Sequence, residues 1–308
     1  MSRDQDVVVI GAGVSGLTTA VCLAEAGLPI KIISSGTGSA TTSFAAGATW
    51  SPYLVEWTDR SRAWSFETLD ELRALAADPA AGIKLVAGVE AAPEPVEPPE
   101  WRDRLDGFRM VTDLPPGFVT GWSFTAPVVH MPTYLGYLQA RAERAGATVE
   151  QRTVDRLDLA PTVVNCAGIG ARDLVPDDQL APVRGQVVIA ENPGLTEWFV
   201  GESDPPVYFF PHGETVLLGG TAHRLDERTL SDEQIRDRCA EVEPRLKGAR
   251  IIGRRTGLRP TRPAIRLESE LRGDTRVIHN YGHGGAGITL SWGCAREVRR
   301  LLSAGAAA

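Results

Sequence analysis

The sequence predicts an α/β fold in which a Rossmann-like nucleotide-binding domain, discontinuous in sequence, carries an inserted mixed α+β domain built on an antiparallel sheet. Three observations predict it. A glycine-rich turn joins an apolar strand to a helix near the start of the chain, strand-helix alternation returns after residue 133, and the stretch between has a different character.

Residues 6–10 form a short apolar run ending in glycine, 14–26 are helical in period, and 30–33 are apolar again, which reads as strand, helix, strand. Residues 62–77 space Trp64, Phe66, Leu69, Leu72 and Leu75 at helical intervals between charges, so an amphipathic helix turns one face to a core. Pro93, Pro95, Pro98 and Pro99 make 91–100 an exposed loop, because proline sustains neither a helix interior nor a central strand. After Pro132 a helix is expected over 133–145, followed by strands over 148–154 and 162–166. Residues 185–220 read as antiparallel strands with turns at Asn192-Pro193 and His212-Gly213. A charged helix over 233–242 is closed by Pro244, and a last helix covers about 289–302. The expected domains are 1–56, 133–183 and 257–308 for the nucleotide, with 57–132 and 184–256 for the substrate.

The 308 residues are ample for a large core. A net charge of -7 and a pI near 5.4 offer no basic surface for nucleic acid or anionic lipid. Cys22, Cys166, Cys239 and Cys294 have neither zinc-site spacing nor disulfide density, and no metal is expected. Asp4 and Asp6 stand where a secretory signal would be basic, no apolar run spans a bilayer, and the last residues, Ser303 to Ala308, carry no peroxisomal address. The expected compartment is the cytoplasm, the expected state a monomer or small homo-oligomer.

Gly11-Ala12-Gly13-Val14-Ser15-Gly16 is a G-x-G-x-x-G between strand and helix. Gly11 permits the turn, Gly13 lets backbone approach a pyrophosphate, and Gly16 lets helix pack on strand, with Val14 and Ser15 at the helix start. The second strand would usually end in a ribose-binding acid, but Ser34 and Ser35 stand there, which counts against NAD.

Further segments accompany these glycines: 41–47 (Thr-Thr-Ser-Phe-Ala-Ala-Gly), 50–53 (Trp-Ser-Pro-Tyr), 164–168, 184–186, 257–260 (Gly-Leu-Arg-Pro) and 279–287. In type and order, across residues 6–295, this set resembles the D-amino acid oxidase family of FAD-dependent enzymes. The resemblance implies FAD contacts at the glycine turn, at Ser34 and Ser35, at Thr41, Thr42, Ser43, Ala45, Ala46 and Gly47, and at Val154, Cys166, Ala167 and Gly168. It implies others at Gly282, Gly284, Gly285, Gly287, Ile288 and Thr289. The small residues 45–47 suit a flat ring lying against backbone, and the turn at 282–287 opens the last helix, whose positive end can stabilise a reduced flavin.

The resemblance also implies that Arg259 grips a substrate carboxylate through two parallel hydrogen bonds, that the Tyr208 hydroxyl assists, and that the Gly285 carbonyl receives the amine. His283 reads as a structural side chain, and Arg262 and Arg266 as surface or structural charges. Asp204 occupies the place of a second tyrosine in vertebrate members and is assigned no role, which puts their mobile lid in doubt. Ala222 follows Leu218-Gly219-Gly220-Thr221 where D-aspartate oxidases add an arginine, and His223 and Arg224 read as solvated loop residues, so neutral substrates are favoured over acidic ones. The implied reaction moves the α-hydrogen of a D-amino acid as hydride to flavin N5. The imino acid hydrolyses to a 2-oxo acid and ammonia, and oxygen becomes hydrogen peroxide. A glycine or sarcosine oxidase, a flavin-binding module without turnover and a nicotinamide dehydrogenase are the alternatives.

Overall fold

A computed structural model describes residues 7–222 and 229–304. In chain order the strands and helices are β1 (Val7–Ile10), α1 (Val14–Ala24), β2 (Ile30–Ser34), α2 (Asp59–Leu75), β3 (Ile83–Ala92), β4 (Asp106–Met110), β5 (Thr120–Val129), α3 (Met131–Arg144), β6 (Thr148–Gln151), β7 (Thr162–Asn165) and the short α4 (Ala171–Leu174). There follow β8 (Ala181–Glu191), β9 (Trp198–Gly201), β10 (Val207–His212), β11 (Thr215–Gly219), α5 (Asp232–Val242), β12 (Ile251–Arg272), β13 (Thr275–His283) and α6 (Gly287–Ala304).

All thirteen strands join one sheet, in the order β4-β5-β3-β9-β10-β11-β8-β12-β13-β7-β1-β2-β6. The stretch β13-β7-β1-β2-β6 is parallel. Its strands are short and apolar because helices cover them: all four residues of β1 are buried, and α1 is buried along nearly its whole length. From β12 outward every pair is antiparallel except β3 with β9. The two stretches meet at the 22-residue β12, which pairs β8 along its first half and β13 along its second. This mixed sheet is the α/β architecture the sequence predicts.

Several boundaries moved for identifiable reasons. The second helix begins at Asp59, not 62, because Thr58 and Ser61 form a reciprocal capping box that satisfies the first amides. The third begins at Met131 with Pro132 in its first turn. The hairpin pair β3–β5 was not legible. β5 is buried on both faces and contains Pro127, while β3 mixes Lys84 and Glu90 with apolar residues, so neither shows clean alternation. The proline-rich loop is shorter than expected, since β3 runs on to Ala92. The four cysteines are buried free thiols, and among the described residues no helix is long and apolar enough to cross a membrane.

Candidate active site

The parallel strands end at a cavity of about 470 Å³ that runs from the first glycine turn to the antiparallel stretch, a size usual for small-molecule sites. The turn at its near end is held by packing. Gly11 has φ +106° and a Cβ there would sit 2.4 Å from the Cys166 carbonyl oxygen, while a Cβ at Gly16 would lie 1.9 Å from the carbonyl oxygen of Gly11. Glycine is therefore obligatory at both positions for α1 to seat on β1 and β7. The Ala12 amide donates to Ser34 Oγ at 3.2 Å and the Val14 amide to Ser43 Oγ at 3.0 Å. Ser34, expected to contact a ligand, is itself buried and also donates to the Gly36 carbonyl at 2.7 Å, so its hydroxyl shapes the turn.

The cavity wall includes Gly11, Gly13, Val14, Ser15, Ser34, Ser35, Thr41, Thr42, Ser43, Ala45, Ala46, Gly47, Cys166, Ala167, Gly168, Gly284, Gly285, Gly287, Ile288, Tyr208 and Arg259. Four expected positions fall outside it. Gly16 faces Gly11, Gly282 packs on the Arg262 side chain, and Val154 lies in the apolar layer beneath the parallel strands. Thr289 acts one shell out: its hydroxyl donates to the Ser51 carbonyl at 2.7 Å and accepts from the Ser51 amide at 3.2 Å, fixing a wall residue.

At the far end Arg259, on β12, lies flat on Gly185 of β8. A Cβ at Gly185 would stand 2.6 Å from the guanidinium carbon and both terminal nitrogens. Arg259 Nη1 donates to the Thr221 carbonyl at 2.9 Å, and its guanidinium sits 5.8 Å from the Tyr53 ring centre. Among the described residues no carboxylate pairs with it. Tyr208 lies beside the same guanidinium; burial raises its phenol pKa, and Arg259 opposes part of the rise. Its ring rests on Gly219 and Gly220, where Cβ atoms would come within 2.2 and 2.3 Å of ring carbons, and Gly47 packs on its edge. The Leu-Gly-Gly run thus makes room for the tyrosine, and the small residue at 47 answers to that same ring.

Tyr53, not singled out by the sequence, closes this end. Its ring covers Gly285, where a Cβ would be 2.3 Å from Tyr53 Cδ1. Burial raises its phenol pKa, while Arg259 lowers it and the Asp204 carboxylate adds to the rise. Ser51, Met131, Val200, Pro206 and Phe210 also line the wall without any sequence signal beyond the segment containing Ser51 and Tyr53. His283 is wholly buried with Nε2 3.1 Å from Asn280 Oδ1, and burial depresses its pKa to about 4, so it is neutral at pH 7. Arg262 pairs with Asp177 at 3.1 Å, and Arg266 bonds the Tyr281 hydroxyl at 2.9 Å. His223 and Arg224 lie outside the described residues.

A glycine turn at the start of α1, a second one at the start of α6, and an arginine-tyrosine pair thus face one cavity. The sequence matches the model of the DAO family, described as FAD dependent oxidoreductase, over residues 6–301. The chain belongs to this FAD-dependent oxidoreductase family. It is 44% identical to D-amino-acid oxidase of Rubrobacter xylanophilus over 312 residues, covering 96% of this chain and 95% of the relative. It is 42% identical to D-amino-acid oxidase of Streptomyces coelicolor, with 98% of each chain covered, and 37% identical to human D-aspartate oxidase, covering 96% and 94%. Among solved structures, glycine oxidase from Bacillus cereus shares the fold with a TM-score of 0.79 at 19% identity, covering 98% and 96% of the chains.

The residues present fit the family's FAD. Most wall glycines are demanded by neighbouring protein atoms, but Gly287 is not: it has no positive φ, and a Cβ there would meet only Val14 Cγ1 at 3.7 Å. Gly287 lines the cavity, so the missing Cβ leaves room there for a bound group. The positive ends of α1 and α6 both open onto the same space, a setting that favours negative charge.

Proposed function

We propose that this protein oxidises neutral D-amino acids to 2-oxo acids and ammonia, with Arg259 and Tyr208 holding the substrate carboxylate and the Gly285 carbonyl accepting from its amine. One observation carries the reading: a guanidinium without a carboxylate partner among the described residues lies flat at one end of the cavity, with a phenol hydroxyl beside it. A planar fork in that setting matches a carboxylate bidentately. The names of the relatives at 42 and 44% identity point to D-amino acids as the class.

When bound, FAD supplies the acceptor for the α-hydrogen as hydride, and oxygen takes the electrons to give hydrogen peroxide. The protein's part is to position. Arg259 is held by Gly185 beneath it and by Thr221, so the carboxylate is fixed without reorganisation. Tyr53 packs over Gly285 at the amine end. The neutral His283 takes no proton from the substrate; its ring is engaged with Asn280. With the carboxylate and amine both anchored, only one enantiomer presents its α-hydrogen to the cofactor side. Ala222 after Thr221 provides no cation for a side-chain carboxylate.

In this reading the cofactor domain comprises 1–56, 133–183 and 257–308, which contain the five strands of the stretch β13-β7-β1-β2-β6, and the substrate domain 57–132 and 184–256. The four buried free thiols suit the reducing cytoplasm, and the acidic charge suits a protein with no nucleic-acid or membrane partner, acting as a monomer or small homo-oligomer. An anaerobic absorbance spectrum before and after D-alanine or D-methionine, with the L-enantiomers, glycine and sarcosine as controls, tests the reaction. Bleaching near 450 nm, about where oxidised flavins absorb, by the D-forms alone is the expected outcome. Bleaching by glycine or sarcosine alone, or by none of them, overturns the substrate assignment.

A further inference from the structure

A second cleft of about 430 Å³ shares no wall residue with the first. Three basic side chains line it: Lys84 from β3, His130 at the junction of β5 and α3, and His212 at the end of β10, against an apolar wall of Ile83, Val128 and Pro211. The two imidazole rings lie 5.3 Å apart between centres at 62°. Arg255 of β12, a cation outside the cleft wall that lies over the Phe44 ring, acts on both histidines and is itself partly desolvated. Among the described residues no acidic side chain lines the cleft, although the chain carries a net charge of -7. His130 is the cap residue of the 14-residue α3, but its ring does not cap the helix and lines the cleft.

Lys84 and Arg255 are cationic, so an imidazole that takes up a proton beside them meets both their repulsion and the loss of solvation at a partly buried site. The cost falls on the histidines. Burial first, then His130, Arg255 and Lys84, hold His212 at a pKa of about 4, and burial with Arg255 lowers His130. An anion in the cleft offsets the repulsion from Arg255 and Lys84 and favours the charged imidazoles. His130 Nδ1 is already engaged with Thr133 Oγ1 at 2.8 Å; with the hydroxyl donating, the ring proton sits on Nε2, ready to donate.

We propose that this cleft is a binding site for a small tetrahedral oxyanion of the sulfate or phosphate class, held by Lys84, His130 and His212. The proposal does not depend on the reaction at the first cavity. Binding takes up protons, because the occupied site favours imidazolium where the free site disfavours it, so affinity rises as pH falls from 8 towards 6.

The test is a titration of the FAD-loaded protein with sodium sulfate, whose charge is constant over that range, against sodium chloride at equal ionic strength. Imidazole C2 proton resonances of His130 and His212 are the readout, assigned by their loss in His130→Gln and His212→Gln. Saturable shifts of both resonances, at least about tenfold tighter at pH 6 than at pH 8 and about tenfold weaker in Lys84→Gln, are expected; inorganic phosphate should saturate the same resonances. Shifts that are absent, that never saturate, that chloride reproduces, or that Lys84→Gln leaves unchanged overturn the proposal. Lys84 is solvent-exposed, so that variant tests the site even where a histidine variant folds poorly.

Discussion

Replacing Arg259 with methionine keeps much of the apolar stem over Gly185 and removes the guanidinium. Two parallel charge-assisted hydrogen bonds to a carboxylate are worth about 1.5–3 kcal/mol each, so about 3–6 kcal/mol of substrate binding is at stake. That converts to a fall in kcat/KM of roughly 10²- to 10⁴-fold, carried mainly by KM because the carboxylate is held in ground and transition states alike. Within the protein the change costs one bond, from Nη1 to the Thr221 carbonyl at 2.9 Å, and no ion pair among the described residues. The variant should therefore fold and retain FAD. Peroxide release from D-alanine in a coupled assay gives kcat and KM, and absorbance near 450 nm of the purified protein gives cofactor content. Kinetics within a few-fold of the parent, with FAD bound, would refute the anchoring role. Loss of FAD would mean that the arginine organises the cofactor cavity instead.

Gly185→Ala tests the same geometry from beneath. A Cβ 2.6 Å from the guanidinium must displace it, so KM should rise steeply with FAD still bound, and an unchanged KM would show that the arginine is not fixed by its bed. Gly287→Leu places volume in the cavity with only Val14 at 3.7 Å to meet, so the circular dichroism spectrum should be preserved while the protein is purified without flavin; a yellow variant would contradict the fit. His283 is neutral and buried with a folded pKa of about 4 against an unfolded value near 6.5. The unfolded state binds more protons between those values, so stability is full above about pH 6.5 and falls on acidification. This one group should cost about 2 kcal/mol between pH 7 and pH 4.5, measured by urea unfolding, and His283→Gln should flatten that slope.

The local segments of the nucleotide half were legible because each follows from short-range physics. The strand, glycine turn and helix over 7–24 need only period and a tight turn, and the last helix carries its own apolar face. Arg259 and Tyr208 were legible only through the pattern of segments around them, since an arginine by composition is a surface charge and a tyrosine in a strand is a core aromatic.

The chain itself determined the α/β class, the positions of most helices, the glycine turn after β1 and most of the residues that line the cavity. Tertiary structure alone decided that thirteen strands form one sheet, with β12 pairing β8 on one side and β13 on the other. It also decided why glycine stands at 185, 219 and 220, each reserving space for a side chain distant in sequence, and it brought Tyr53 onto Gly285. Lys84, His130 and His212 share no motif and line one cleft only because the start of β3 and the ends of β5 and β10 come together in the sheet. Periodicity and turn chemistry act over a few residues, whereas these placements depend on pairing between strands far apart in the chain, where the energy of each contact belongs to two segments at once.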